Sequence, residues 1–134
     1  MPATYYAINQ SLDLDFGSGS YVPPTSYYLG LSTTVIDPTG ATVTEPIDPS
    51  YERYEIPNDD KSFWTEASDG QITNGSTVLF PQSSEAWGSI ATVFLSSASV
   101  AGNVWFYDNL DVPITIGPNT ELELEPGIIV IERF

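Results

Sequence analysis

From residue 25 onward the chain consists of short apolar or alternating runs separated by glycine, proline and Asn/Asp turn signals, a punctuation that suits β-strands. The clearest run is Glu121-Leu122-Glu123-Leu124-Glu125, whose period of two sends leucines inward and carboxylates to water. Gly88 to Ser97 carries Ile90, Thr92 and Phe94 on one face and Ala91, Val93 and Leu95 on the other, as in a strand covered on both sides. Further strands are expected at Ser26 to Thr34, Tyr51 to Ile56, Ser62 to Glu66 around Trp64, and Thr77 to Phe80. They continue at Val104 to Asp108, at Val112 to Ile116 after a break at Asn109-Leu110-Asp111, and at Ile128 to Arg133. Asp69-Gly70 and Asn74-Gly75 favour the positive φ of tight turns, Pro126-Gly127 turns the chain again, and Val35 to Pro49 reads as a long loop in which Thr42 to Thr44 could pair briefly.

The exception lies at the N-terminus. Ile8, Leu12 and Phe16 recur every four residues, which predicts a short helix over Tyr5 to Phe16 stopped by Gly17-Ser18-Gly19. Leu12 to Phe16 also alternates with period two, so an extended segment is the competing reading. The expected class is all-β and mainly antiparallel: a β-sandwich or jelly-roll-like single domain over 1–134, with residues 1–20 as a helical N-terminal arm. At 134 residues with 41% hydrophobic and 13% aromatic residues, such a domain can bury a core without a metal or a disulfide. No cysteine is available for one.

Charge narrows the partners. Eighteen acidic residues face only Arg53, Lys61 and Arg133, for a net charge of −15. Such a surface repels phosphate backbones, so no nucleic-acid partner is expected. The acids are scattered, as on a solvated globular surface, and so few lysines suit a halophilic setting in which salt screens self-repulsion. The start of the chain lacks the basic and apolar regions of an export signal, and no apolar run approaches the ~20 residues of a membrane span. No membrane partner is expected.

Chemistry is narrowed further by what is missing. Without histidine or cysteine, no Ser-His-Asp or Cys-His machinery and no typical zinc site can form. Lys61 lies beside Asp59 and Asp60, which favour its charged form over a neutral nucleophile. Gly17-Ser18-Gly19 lacks the third glycine and the strand-to-helix context of a dinucleotide loop. A glycosidase would need two converging acids, for which Asp13, Asp15, Glu66, Glu85, Asp108 and Asp111 are available, though each also reads as a solvated charge. The expectation is a protein that is not an enzyme and carries no cofactor. Calcium is the one candidate ion, with Asp59, Asp60, Asp108 and Asp111 as oxygen ligands in turns that Asn and Asp also favour without any metal.

The aromatics outnumber what one small core hides. Trp87 and Trp105 are expected inside, while Tyr5, Tyr6, Tyr27 and Tyr51, together with the terminal Phe134, are the candidates for contacts between subunits. Exposed tyrosines and tryptophans would equally suit stacking on a surface glycan. Asn9-Gln10-Ser11 and Asn74-Gly75-Ser76 match the glycosylation sequon, which chance supplies freely.

A set of words recurs in a fixed order along the chain. After the Phe-Gly turn at Phe16-Gly17 come Tyr21-Val22-Pro23-Pro24, then Leu29-Gly30-Leu31-Ser32-Thr33-Thr34, Thr44-Glu45-Pro46 and Tyr51-Glu52-Arg53. Thr73-Asn74-Gly75, Phe80-Pro81, Trp87-Gly88, Gly102-Asn103 and Pro113-Ile114-Thr115-Ile116 follow. In this order the chain resembles, from about Leu12 to Val130, a family of small tailed-phage virion proteins described as tail-fibre-like or head-decorating, and departs from it in two places, the acidic Asp108 to Asp111 and an unusually acidic, aromatic region in the 50s. The resemblance implies a virion structural protein that is homo-oligomeric, a trimer being the expected form, and bound to capsid or tail proteins. The size of a compact knob suits a capsid decoration, spike or turret first, and a tail-fibre or baseplate component that binds a host glycan second. The family brings no catalytic residues.

Overall fold

A computed structural model of the protein describes residues 1–17, 22–58 and 61–132. The helical pattern at the N-terminus becomes α1, Tyr5–Phe16. Thr4 caps it, with extended backbone and a hydroxyl that accepts the Ala7 N–H at 3.2 Å. Gly17 ends it at φ 73°, a left-handed conformation in which its N–H returns to the Asp13 carbonyl at 2.9 Å. These two caps decide the segment against the extended reading.

Eight strands follow among the described residues: β1 Ser26–Ser32, β2 Tyr54–Pro57, β3 Gln71–Thr73, β4 Val78–Leu79, β5 Gly88–Ser96, β6 Val104–Ile116, β7 Glu123–Leu124 and β8 Val130–Glu132. Every pair they form is antiparallel. One four-stranded sheet runs β2-β1-β5-β6, and two ribbons, β3-β8 and β4-β7, complete the strand pairing. The expected all-β, mainly antiparallel class with one short helix is met.

The sheet is covered on both faces, which explains why β5 is apolar on both sides. On one face Leu29, Leu31, Ile90, Val93, Leu95 and Phe106 share a buried cluster with Val78 and Leu124 of the β4-β7 ribbon, and with Phe63, Phe80, Trp87 and Ile129. On the other face Phe94, Val104 and Tyr107 are sealed by Ile36 and Val43 from the long loop. A register shift between Leu95 and Ser96 gives β6 one residue more than β5, because Leu95 pairs with Phe106 and Ser96 with Val104. That bulge lets the adjacent Trp105 and Phe106 both enter the main cluster.

Differences from the sequence reading are local. The break expected at Asn109-Leu110-Asp111 is a second register shift within one continuous β6: Thr92 pairs with Asn109, and Ile90 with Ile114. Trp64 forms only an isolated bridge, to Asn74, and the alternating Glu121 to Glu125 pairs only at Glu123–Leu124, with Leu124 buried and the three glutamates exposed. The residues before α1 are strapped down: Thr4 N–H donates to the Trp105 carbonyl at 2.9 Å and Tyr107 N–H to that of Pro2 at 3.1 Å, so residues 2–4 lie along the outer edge of β6.

Candidate functional site

Three of the words that carry the resemblance converge on one buried network. Gly30 pairs with Phe94 across β1 and β5, and a Cβ on Gly30 would sit 2.4 Å from the Phe94 ring, so only glycine leaves room for that ring. The Arg53 guanidinium lies over the same ring at 5.1 Å from its centroid. Its Nε and Nη2 grip Glu45 at 2.7 and 3.0 Å, and its Nη1 donates to the Ala98 and Ala101 carbonyls at 2.7 and 2.9 Å. Glu45 also accepts the Tyr51 hydroxyl at 2.7 Å, and that oxygen in turn accepts the Leu31 N–H of β1 at 3.0 Å. Burial, with the Glu45 carboxylate beside it, pushes the Tyr51 phenol well above its usual range, so it stays a hydroxyl donor. Leu-Gly-Leu, Thr-Glu-Pro and Tyr-x-Arg are thus the parts of one clamp that holds the 33–50 loop to the sheet.

A second clamp had no forewarning in the sequence. Asp48 is buried, with no cation beside it among the described residues, and accepts six hydrogen bonds: from Ser50 N–H and Oγ, Ser84 N–H and Oγ, Glu85 N–H, and Trp87 Nε1 at 2.8 Å. Burial alone would raise its pKa. The bonds from Ser84, Glu85 and Ser50 outweigh that and hold the carboxyl far below the ordinary carboxylate range. The sequence placed Asp48 only near the end of the long Val35 to Pro49 loop.

The proposed contact tyrosines separate. Tyr51 packs edge-on against Trp87 at 5.3 Å, and its hydroxyl is consumed by the clamp. Tyr27 and Tyr6 both meet Trp105 edge-on, at 5.9 and 5.3 Å, from β1 and α1 respectively. Tyr5 remains exposed at the start of α1. A groove of about 490 Å³ opens between the helix and β6, with Ala3, Ala7, Ile8, Leu12 and Phe106 as its apolar lining and Asp15 and Glu132 as its carboxylates. Phe134 lies outside the described residues.

Asp59 and Asp60 also lie outside them, while Asp108 and Asp111 are exposed on β6. No group of three or more acidic residues placed to hold a metal ion occurs among the described residues. Asp15, Glu66, Glu85, Asp108 and Asp111 are exposed and Asp13 is half-buried. Of the two sequons, Asn74 is buried, its amide donating to Ser76 and Glu125 carbonyls and accepting the Gly127 and Ile129 N–H groups, whereas Asn9 is exposed on α1. No helix among the described residues is long and apolar enough to cross a membrane. A second cleft of about 550 Å³ is lined by Tyr28, Glu52, Arg53, Tyr54 and Glu55, with Leu79 and Val100. There Glu55 accepts both the Ser26 and the Tyr28 hydroxyls, at 2.9 and 3.1 Å, and the Tyr28 phenol is raised chiefly by that bond.

Residues 2–132 match the family model described as "Podophage GP4 fiber I protein gp80". Among curated proteins no match was found.

Proposed function

We propose, from the premise that this chain belongs to the podophage GP4 fiber I protein gp80 family and is therefore a virion structural protein in contact with other virion proteins, that it serves as a fibre component rather than a capsid decoration. The observation that carries the reading is the extent of the match, which takes in both clamps, the sheet and the helix. The chain acts by binding and building and not by catalysis: it has no histidine or cysteine, and most of its candidate catalytic acids face solvent singly. Copies associate as a closed cyclic oligomer, the trimer implied by the family resemblance being the form proposed. Antibody labelling of intact particles tests the placement. Label confined to appendages supports the fibre role, and label spread over the capsid shell overturns it; sedimentation of the purified chain gives the copy number.

A host-glycan role would fall to the Tyr28–Tyr54 cleft, where two phenol rings and two carboxylates line one concavity. Binding on a glycan array that is lost on Tyr54→Ala would support it, and silence on the array would remove it.

A further inference from the structure

The helix is mounted with its apolar stripe facing away from its own sheet. At 3.6 residues per turn, Tyr5, Ile8, Leu12 and Phe16 fall within about 80° of arc, and Ala7 lies roughly 140° from the centre of that arc. Ala7, at 2% exposure, and Tyr6, edge-on to Trp105, are the residues that dock, whereas Ile8, Leu12 and Phe16 remain 41, 49 and 80% exposed. A surface helix ordinarily turns such a stripe to its own core. Here the stripe forms one bank of the groove beside β6, and Ile8 and Leu12 belong to both.

Charge selects what can fill the groove. Asp15 and Glu132 stand among its apolar lining, and α1 contains no basic residue. A second copy of the chain is poorly suited: of its three cations, Arg53 is sealed against Glu45, Lys61 is the only exposed one among the described residues and Arg133 lies outside them, and each copy adds a charge of −15. We infer that this groove and the outward face of α1 are the attachment surface for a different virion protein, one presenting an apolar ridge flanked by lysine or arginine. The inference rests on the reading of the chain as a virion structural protein, and it names the chemistry of the neighbour. Apolar insertion would supply the hold, and the two carboxylates the orientation and the exclusion of acidic partners.

Two measurements separate the inference from the reading beneath it. In intact particles, carbodiimide coupling joins carboxylates to amines at zero length; the expected product links Asp15 or Glu132 to a lysine of another virion protein. Absence of the chain from particles would defeat the virion reading itself. Presence of the chain with both carboxylates uncoupled, or coupled only to Lys61 of another copy, would overturn the attachment surface alone. With the isolated full chain, a synthetic amphipathic helix with lysine flanks should shift the amide resonances of Ala7, Ile8, Leu12 and Phe106. The same peptide with glutamate flanks should bind at least ~10-fold more weakly, a gap that narrows as salt screens the rim. Leu12→Asp should abolish the shifts while leaving the melting curve in place, because that side chain is half exposed; Ile8→Ser serves as the milder variant. Equal binding of both peptides, or an oligomer of the free chain that Leu12→Asp disperses, would refute it.

Discussion

The Arg53–Glu45 pair tests how a chain so poor in cations uses one of them. The two side chains are unequally buried, at 4% exposure for Arg53 and 26% for Glu45. Breaking a buried pair typically costs about 3–5 kcal/mol, because the abandoned charge keeps its desolvation penalty. Arg53→Met abandons Glu45, which water can partly reach, and methionine retains a stem that packs on Phe94, so the expected loss is about 2–3 kcal/mol. Glu45→Ala abandons the more deeply buried guanidinium and also strips the Tyr51 hydroxyl of its acceptor, so its loss should lie at the upper end, about 4–5 kcal/mol. The double variant leaves no orphan charge and should cost at least ~1 kcal/mol less than the sum of the singles. Urea unfolding followed by tryptophan fluorescence, with Trp87 packed on Tyr51 as a near reporter, reads all three. If Arg53→Met proves as costly as Glu45→Ala, or if the two add without coupling, residual charge is not what governs this network.

Three further outcomes are expected. Gly30→Ala should destabilise by about 1–3 kcal/mol, since its Cβ would meet the Phe94 ring at 2.4 Å, and Phe94→Leu in the same chain should recover part of that loss; thermal melts that show additive losses contradict the steric cause. Asp48→Asn should lower Tm at pH 7. Because the folded carboxyl lies far below its unfolded value near ~3.9, the wild-type advantage should be fully present above that pH and shrink as pH falls through the acid range; a gap that stays constant from pH 7 to 3 would show that the charge of Asp48 is not what the six donors hold. Trp105→Phe should loosen α1 and β1 together, because Tyr6 and Tyr27 both lean on that ring, and hydrogen exchange confined to one of the two elements would contradict the shared support.

Much of the fold was legible because burial follows periodicity. The alternation at Gly88 to Ser97 marked β5 as covered on both faces, and Glu121 to Glu125 keeps its glutamates outside and Leu124 inside although only two of its residues pair. β3 escaped notice because three residues between Asp69-Gly70 and Asn74-Gly75 are too few to show a period. The partners of β3 and β4 were equally hidden, since nothing local in Gln71–Thr73 specifies Val130–Glu132 some sixty positions away. At the candidate site, Ile8, Leu12 and Phe16 announced a helix but not that its stripe would face outward, because Ala7 and Tyr6 dock instead, Tyr6 against a ring on the distant Trp105. Tyr51 looked like a contact residue for the reason that made it a clamp residue: a large ring with one polar tip. Asp48 could not be singled out, because its six donors come from two segments some thirty-five residues apart.

The strapping of residues 2–4 along β6 bears on the order in which the molecule can be assembled. Thr4 starts the helix, yet its N–H and hydroxyl both reach carbonyls a hundred residues later, at Trp105 and Val104. During synthesis this segment is made about a hundred residues before the strand that receives it, and waits for that strand before its own place exists. Until then α1, twelve residues long, is too short to persist alone in water, and its apolar stripe is unordered. The surface inferred to receive another virion protein is thus completed only when β6 is in place, so a half-made chain has no organised face with which to join a particle.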